Sequence, residues 1–170
     1  MAQAWERQPD PRWQAVFSNV ADLQREVGRW PVGDAVAAGV ASQLGVARDL
    51  IVDSYFKFDY SLIAAGQAFQ ALEACLRGCV PPATDGQPAK RTLGRLIHDG
   101  QDRGLLAAEE AQVLLDSTAF RNLIAHGKIM CYDNPTKSYT PRDALDFVEA
   151  VHNAVTDLYD LAVSRQSLAF

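Results

Sequence analysis

The sequence predicts an all-α protein, one domain built as a bundle of about five or six helices. Three observations carry that prediction. Apolar residues recur at intervals of three and four along most of the chain, and no stretch sustains the period-2 alternation of a half-buried strand. Several of the apolar stripes open on a capping residue and close on glycine or proline, as helices do.

Taken in order, Asp10-Pro11 pairs an N-cap with proline at the first helical position. Trp13, Val16, Phe17, Val20, Leu23 and Val27 then make one stripe that ends near Gly28 and Pro31. Asp34 is placed to cap a short alanine-rich helix running to Leu44 and closed by Gly45. These N-terminal helices occupy residues 1–45 of a single domain spanning 1–170. From Val46 to Arg77 runs the longest helical pattern, with Leu50, Ile51, Tyr55, Phe58, Leu62, Phe69, Leu72 and Leu76 spread around most of its circumference. A helix apolar nearly all round belongs in the middle of a bundle. The spacing leaves open whether Lys57-Phe58-Asp59 or Gly66 interrupts it.

Three prolines and a glycine make Val80 to Lys90 a loop. Thr92 caps a short helix with Leu93, Leu96 and Ile97 on its apolar side, and Gly100 and Gly104 punctuate the next connection. Ala107 to His126 reads as a further helix, with Val113, Leu114, Phe120, Leu123 and Ile124 facing inward and Gly127 just past its end. After a polar loop over 127–139, Thr140-Pro141-Arg142-Asp143 combines an N-cap, proline at N1 and an acid at N3. The final helix carries Leu145, Phe147, Val148, Val151, Val155 and Leu158.

Bulk properties exclude several classes. The 48% hydrophobic and 22% charged content is that of a folded globular chain. No apolar run reaches the roughly 18 residues that span a bilayer, and the N-terminus lacks an apolar signal region, so a cytoplasmic protein is expected. The net charge of -5 has the wrong sign for a broad nucleic-acid-tracking surface, though a local cluster can still act on one phosphate. Three cysteines make no disulfide framework, and with His98, His126 and His152 they form no zinc pattern; no metal or cofactor is expected. Cys75 and Cys79, one helical turn apart, read as reduced thiols. His98 and His152 read as surface or boundary histidines. Glycine-rich phosphate loops, HExxH and GxSxG are absent, and the acids mark no carboxylate dyad.

Arg121-Asn122-Leu123-Ile124-Ala125-His126 is the best candidate for chemistry. Asn122 and His126 are four apart and share a helix face. Arg121 lies five residues from His126, roughly 140° away around an ideal helix. The two converge on a small target only through arginine's reach, a distorted last turn or a second subunit. A structural reading also exists: histidine before glycine suits a helix C-terminus, and Arg121 can pair with Asp116 or Asp143.

The arrangement Arg-Asn-x-x-Ala-His resembles the signature of the HEPN superfamily: arginine, a polar residue, three to five others, then histidine. The flanks support the likeness. Arg91 to Ile97, then Gly104-Leu105-Leu106 with Glu109-Glu110, leads to the motif in the order of that family's middle section. Ala71 to Arg77 resembles the helix that packs beside it. The resemblance covers roughly residues 46–163 and implies an up-and-down helical core. It implies a metal-independent endoribonuclease, often dimeric, in toxin or antiphage roles, with the two motifs of a homodimer meeting in one cleft. His126 would be the general acid/base, Arg121 would hold the scissile phosphate, and Asn122 would orient phosphate or histidine. The toxin branch that pairs with nucleotidyltransferase antitoxins has tyrosine two residues after the histidine. Here that residue is Lys128, so tyrosine-based control by an antitoxin is not implied, while Lys128 adds a cation for RNA. The competing expectation is a non-catalytic HEPN-like module that binds a partner protein or nucleotide. A ligand-binding helical bundle with a chance motif is a third.

Overall fold

Asp10 opens the first helix as the Asp-Pro pair predicts: its carboxylate accepts from the Arg12 N–H at 3.0 Å, and Pro11 begins α1 (Pro11–Gln14). The computed structural model describes residues 7–80, 91–125 and 139–167, with the backbone alone for 119–125 and 165–167. The apolar stripe expected as one helix over 11–27 is two. α2 (Val20–Val27) has its own cap, Asn19, which accepts from the Asp22 N–H at 3.0 Å. Asn19 thus gives the backbone a local partner that competes with a continuous helix. Of the expected stripe Trp13, Leu23 and Val27 are buried and Phe17 and Val20 partly so, but Val16 is exposed.

The division expected at Gly45 is also corrected. α3 (Ala38–Asp53) runs straight through Gly45, and α4 (Asp59–Cys79) runs through Gly66. Asp34 lies in the turn before α3 and does not cap it, because α3 starts after Ala37 with no side-chain cap. A helical glycine costs about 1 kcal/mol relative to alanine but keeps its backbone hydrogen bonds, so alone it does not end a helix. The break comes instead at residues 54–58, the first of the two places the sequence left open. There Ser54 Oγ donates to the Ile51 carbonyl at 2.6 Å and Ser61 Oγ to the Phe58 carbonyl at 2.7 Å.

α5 (Leu93–Asp102) is capped by Thr92, whose hydroxyl accepts from the Arg95 N–H at 3.3 Å. It passes through Gly100 and ends at Gly104, the one residue among those described that takes a left-handed backbone, with φ at 63°. The Gly104 N–H reaches the Gln101 carbonyl and the Leu105 N–H the Gly100 carbonyl, both at 2.9 Å, which is the Schellman closure. α6 (Ala108–Ala125) has Glu109 and Glu110 in its first turn, and Glu110 accepts from the Ala107 N–H at 2.9 Å. α7 (Pro141–Ser167) opens on the expected capping box: Asp143 accepts from the Thr140 N–H at 2.9 Å while Thr140 Oγ1 accepts from the Asp143 N–H at 3.2 Å.

Seven helices and no strand are thus present among the described residues, an all-α bundle. α4 is its centre. Ala64, Ala65, Ala68, Phe69, Ala71, Leu72, Cys75 and Leu76 are all buried on one side of it, whereas Ile63, Gln70, Ala74 and Arg77 are exposed, so α4 keeps a solvent face and the expectation of a helix covered nearly all round is corrected. α3 packs back along α4 through the 54–58 turn. α7 runs parallel to α4, since Phe58 meets Tyr139 at 5.7 Å between ring centroids and, further along both helices, Phe69 meets Phe147 at 4.5 Å. α5 and α6 pack together beside this pair. Runs of alanine on α4 let its neighbours approach closely, while the phenylalanines fill the remaining space.

Candidate functional site

α6 carries the motif. Its start is anchored by Ala111 and Leu114, which are buried against the bundle. One turn before the motif, Ser117 Oγ donates to the Val113 carbonyl and Thr118 Oγ1 to the Leu115 carbonyl, each at 2.7 Å. Arg121 and Asn122 then lie on helical backbone, which is described as far as Ala125. By register, position 121 lies seven residues after Leu114 and continues its line along the helix. His126 and Lys128 fall outside the described residues, as does Gly127. Asp116, one candidate partner of Arg121, accepts from Gln112 Nε2 at 2.8 Å.

Three arginines that precede the motif, Arg77, Arg91 and Arg95, are held by carboxylates. Arg91 lies 3.5 Å from Asp99 and donates to the Val80 carbonyl at 2.8 Å, tying the start of α5 to the end of α4. Arg95 meets Asp99 at 2.8 Å, and Arg77 meets Glu73 at 2.7 Å and the Arg91 carbonyl at 3.0 Å. These pairs keep the local charge near balance. Near the start of α6, burial, then Glu110 and Asp160, push the Asp157 carboxyl up, so that edge is acidic.

His152 corrects the sequence reading. It is not a surface or boundary residue but fully buried on α7. Its ring lies 5.3 Å from that of Trp30, and Nδ1 sits 3.3 Å from the Pro31 carbonyl, which also accepts from Thr156 Oγ1 at 3.3 Å. Arg48 of α3 donates to the neighbouring Trp30 carbonyl at 3.3 Å. Burial is the main cause that pulls the imidazole down to about 4, with the Arg48 charge acting the same way and the Pro31 and Leu44 carbonyls opposing. His152 is therefore neutral at pH 7 and pins the Trp30-Pro31 connection to α7. A signal for this was available, since position 152 falls four after Val148 and three before Val155 on the apolar stripe. His98, by contrast, is exposed on α5 as expected.

A shallow cleft of about 590 Å³ between α2 and α3 is lined by Gln24, Gly28, Arg48, Asp49 and Asp53. It lies on other elements than the motif and gathers no nucleophile with a base. Among the described residues no group of three or more His, Cys, Asp or Glu is placed to hold a metal ion, and no helix is long and apolar enough to cross a membrane. No family model, curated protein or solved structure matches the chain.

Proposed function

We propose that the protein is a metal-independent endoribonuclease of the HEPN type, working as a homodimer in a toxin or antiphage role. The observation that supports this most is that Arg121 and Asn122 lie on helical backbone of α6 within an all-α bundle, with His126 the next residue in sequence after Ala125. Arginine and histidine five apart diverge on one ideal helix, and of the ways to bring them together, two copies of the motif facing each other is the one this reading adopts.

In the proposed reaction His126 takes the proton of an RNA 2′-hydroxyl. The freed oxygen attacks the adjacent phosphorus, and the bond from phosphorus to the 5′-oxygen breaks. The leaving oxygen receives a proton from an imidazolium, which the second motif of the dimer can supply. Imidazole suits both roles because it titrates near neutrality. Arg121 binds the non-bridging oxygens and offsets the charge that grows on them, with a planar fork that lysine lacks. Asn122 orients the phosphate or the imidazole by hydrogen bonding, and Lys128 adds a second cation for RNA. Such local charge is needed because the mean field of a chain with net charge -5 repels RNA.

Incubating purified protein with structured and unstructured RNAs in excess EDTA tests the reading. Fragments ending in 2′,3′-cyclic phosphate and 5′-hydroxyl are expected. RNA left intact, or cleavage that returns only on adding Mg²⁺, contradicts it and favours a non-catalytic binding module.

A further inference from the structure

The cleft between α2 and α3 carries two opposite charges that the fold leaves unmatched. Its surroundings are ion-paired: Arg7 meets Asp53 at 3.4 Å, Arg25 meets Asp22, and Arg29 meets Glu26 at 3.1 Å. Arg48 and Asp49 both line the cleft, yet neither joins an ion pair among the described residues. Arg48 is half-buried and donates one N–H to the Trp30 carbonyl at 3.3 Å, which leaves most of its donor fork unengaged. Asp49 is exposed.

Register keeps the two from neutralising each other. Neighbouring positions on a helix diverge by about 100°. Val52, four residues after Arg48 and three after Asp49, falls between them and also lines the cleft. Around α3 the wall therefore runs from cation to aliphatic to carboxylate. Buried Val27 extends the apolar strip from the α2 side. Charge then sets the class of ligand. A simple anion drawn to Arg48 meets Asp49, and a simple cation drawn to Asp49 meets Arg48. With Asp53 engaged by Arg7, the remaining two charges cancel. A molecule with a carboxylate at one end, an ammonium at the other and an apolar body between them answers all three strips. The cleft of about 590 Å³ has the volume of a small-molecule site, and an extended dipeptide spans about 7 Å.

We propose that the α2–α3 cleft is a binding site for a zwitterionic apolar dipeptide, with its carboxylate on Arg48, its ammonium on Asp49 and its side chains over Val27 and Val52. The planar guanidinium fork suits a carboxylate, and its bond to the Trp30 carbonyl holds it in place for one. The site lies on the N-terminal helices, on other elements than α6, and does not rest on the ribonuclease reading.

Leucyl-leucine titrated into the full-length chain, followed through its backbone amide NMR signals, tests this. Saturable shifts at Gly28, Arg48 and Val52 are expected. N-acetyl-leucyl-leucine lacks the ammonium and leucyl-leucine amide lacks the carboxylate, so each should bind about tenfold more weakly, one charged hydrogen bond being lost. Asp49→Asn changes an exposed side chain outside every ion pair of the described residues and should melt as the wild type does. It should weaken leucyl-leucine by a similar factor without weakening the acetylated peptide. Leucyl-leucine that gives no saturable shift at millimolar concentration, three peptides that bind alike, or binding untouched by Asp49→Asn overturns the proposal.

Discussion

Replacing His152 by phenylalanine separates the titration of a buried imidazole from its packing. The ring stays against Trp30 and fills the same space, while the proton-binding site disappears. In the wild type an imidazole held near 4 in the fold, against about 6.5 in the unfolded chain, means that the unfolded state binds more protons between those values. Stability is therefore complete above about pH 6.5, falls as the pH drops towards about 4, and falls no further from this group below that. The loss over the window amounts to about 3 kcal/mol. At neutral pH the variant gives up one neutral hydrogen bond to the Pro31 carbonyl, which keeps its Thr156 donor, so a cost of about 1 kcal/mol is expected. The two stability curves should then cross on acidification, with the variant the more stable protein near pH 4. Urea unfolding of both proteins at matched pH values measures this, and the difference between them cancels the carboxylates they share. Parallel curves with a constant offset would refute the buried, neutral state of His152.

Other substitutions test single features of the fold. Thr140→Ala removes half of the capping box of α7 and should cost about 1 kcal/mol, largely restored by Thr140→Ser, as read by thermal or urea unfolding. Gly104→Ala forces a side chain into left-handed backbone at the end of α5 and should cost about 1 kcal/mol; an unchanged midpoint would argue against that closure. Trp13→Ala empties a fully buried site packed on Phe17 and Phe58, and a loss of about 3–5 kcal/mol is expected. A loss below 1 kcal/mol would mean that α1 is not part of the cooperative unit.

Local chemistry made the helix starts legible. Asp10, Thr92 and the Thr140–Asp143 pair each act within three residues, so their role is written in adjacent letters. Glycine misled at 45 and 100 because its weak helix propensity is a small cost, easily outweighed once a helix packs on both sides. Asn19 was the opposite case, a cap hidden inside an apolar stripe that looked continuous. His152 was misread because what buries it, the Trp30-Pro31 connection, arrives from 121 residues away in the chain. The motif falls between these cases. Its helix, with Arg121 and Asn122 on it, was readable from periodicity, whereas the expected helix end, His126 and Lys128 lie outside the described residues. The proposed shared cleft would also depend on a second chain, which no periodicity in one sequence encodes.

The ribonuclease reading turns most directly on the rate at which His126→Ala cleaves RNA in EDTA, relative to wild type, with both proteins shown to melt alike. A general acid/base contributes about 10²–10⁴-fold, so a loss of at least about two orders of magnitude is expected. Cleavage by His126→Ala at the wild-type rate would contradict it.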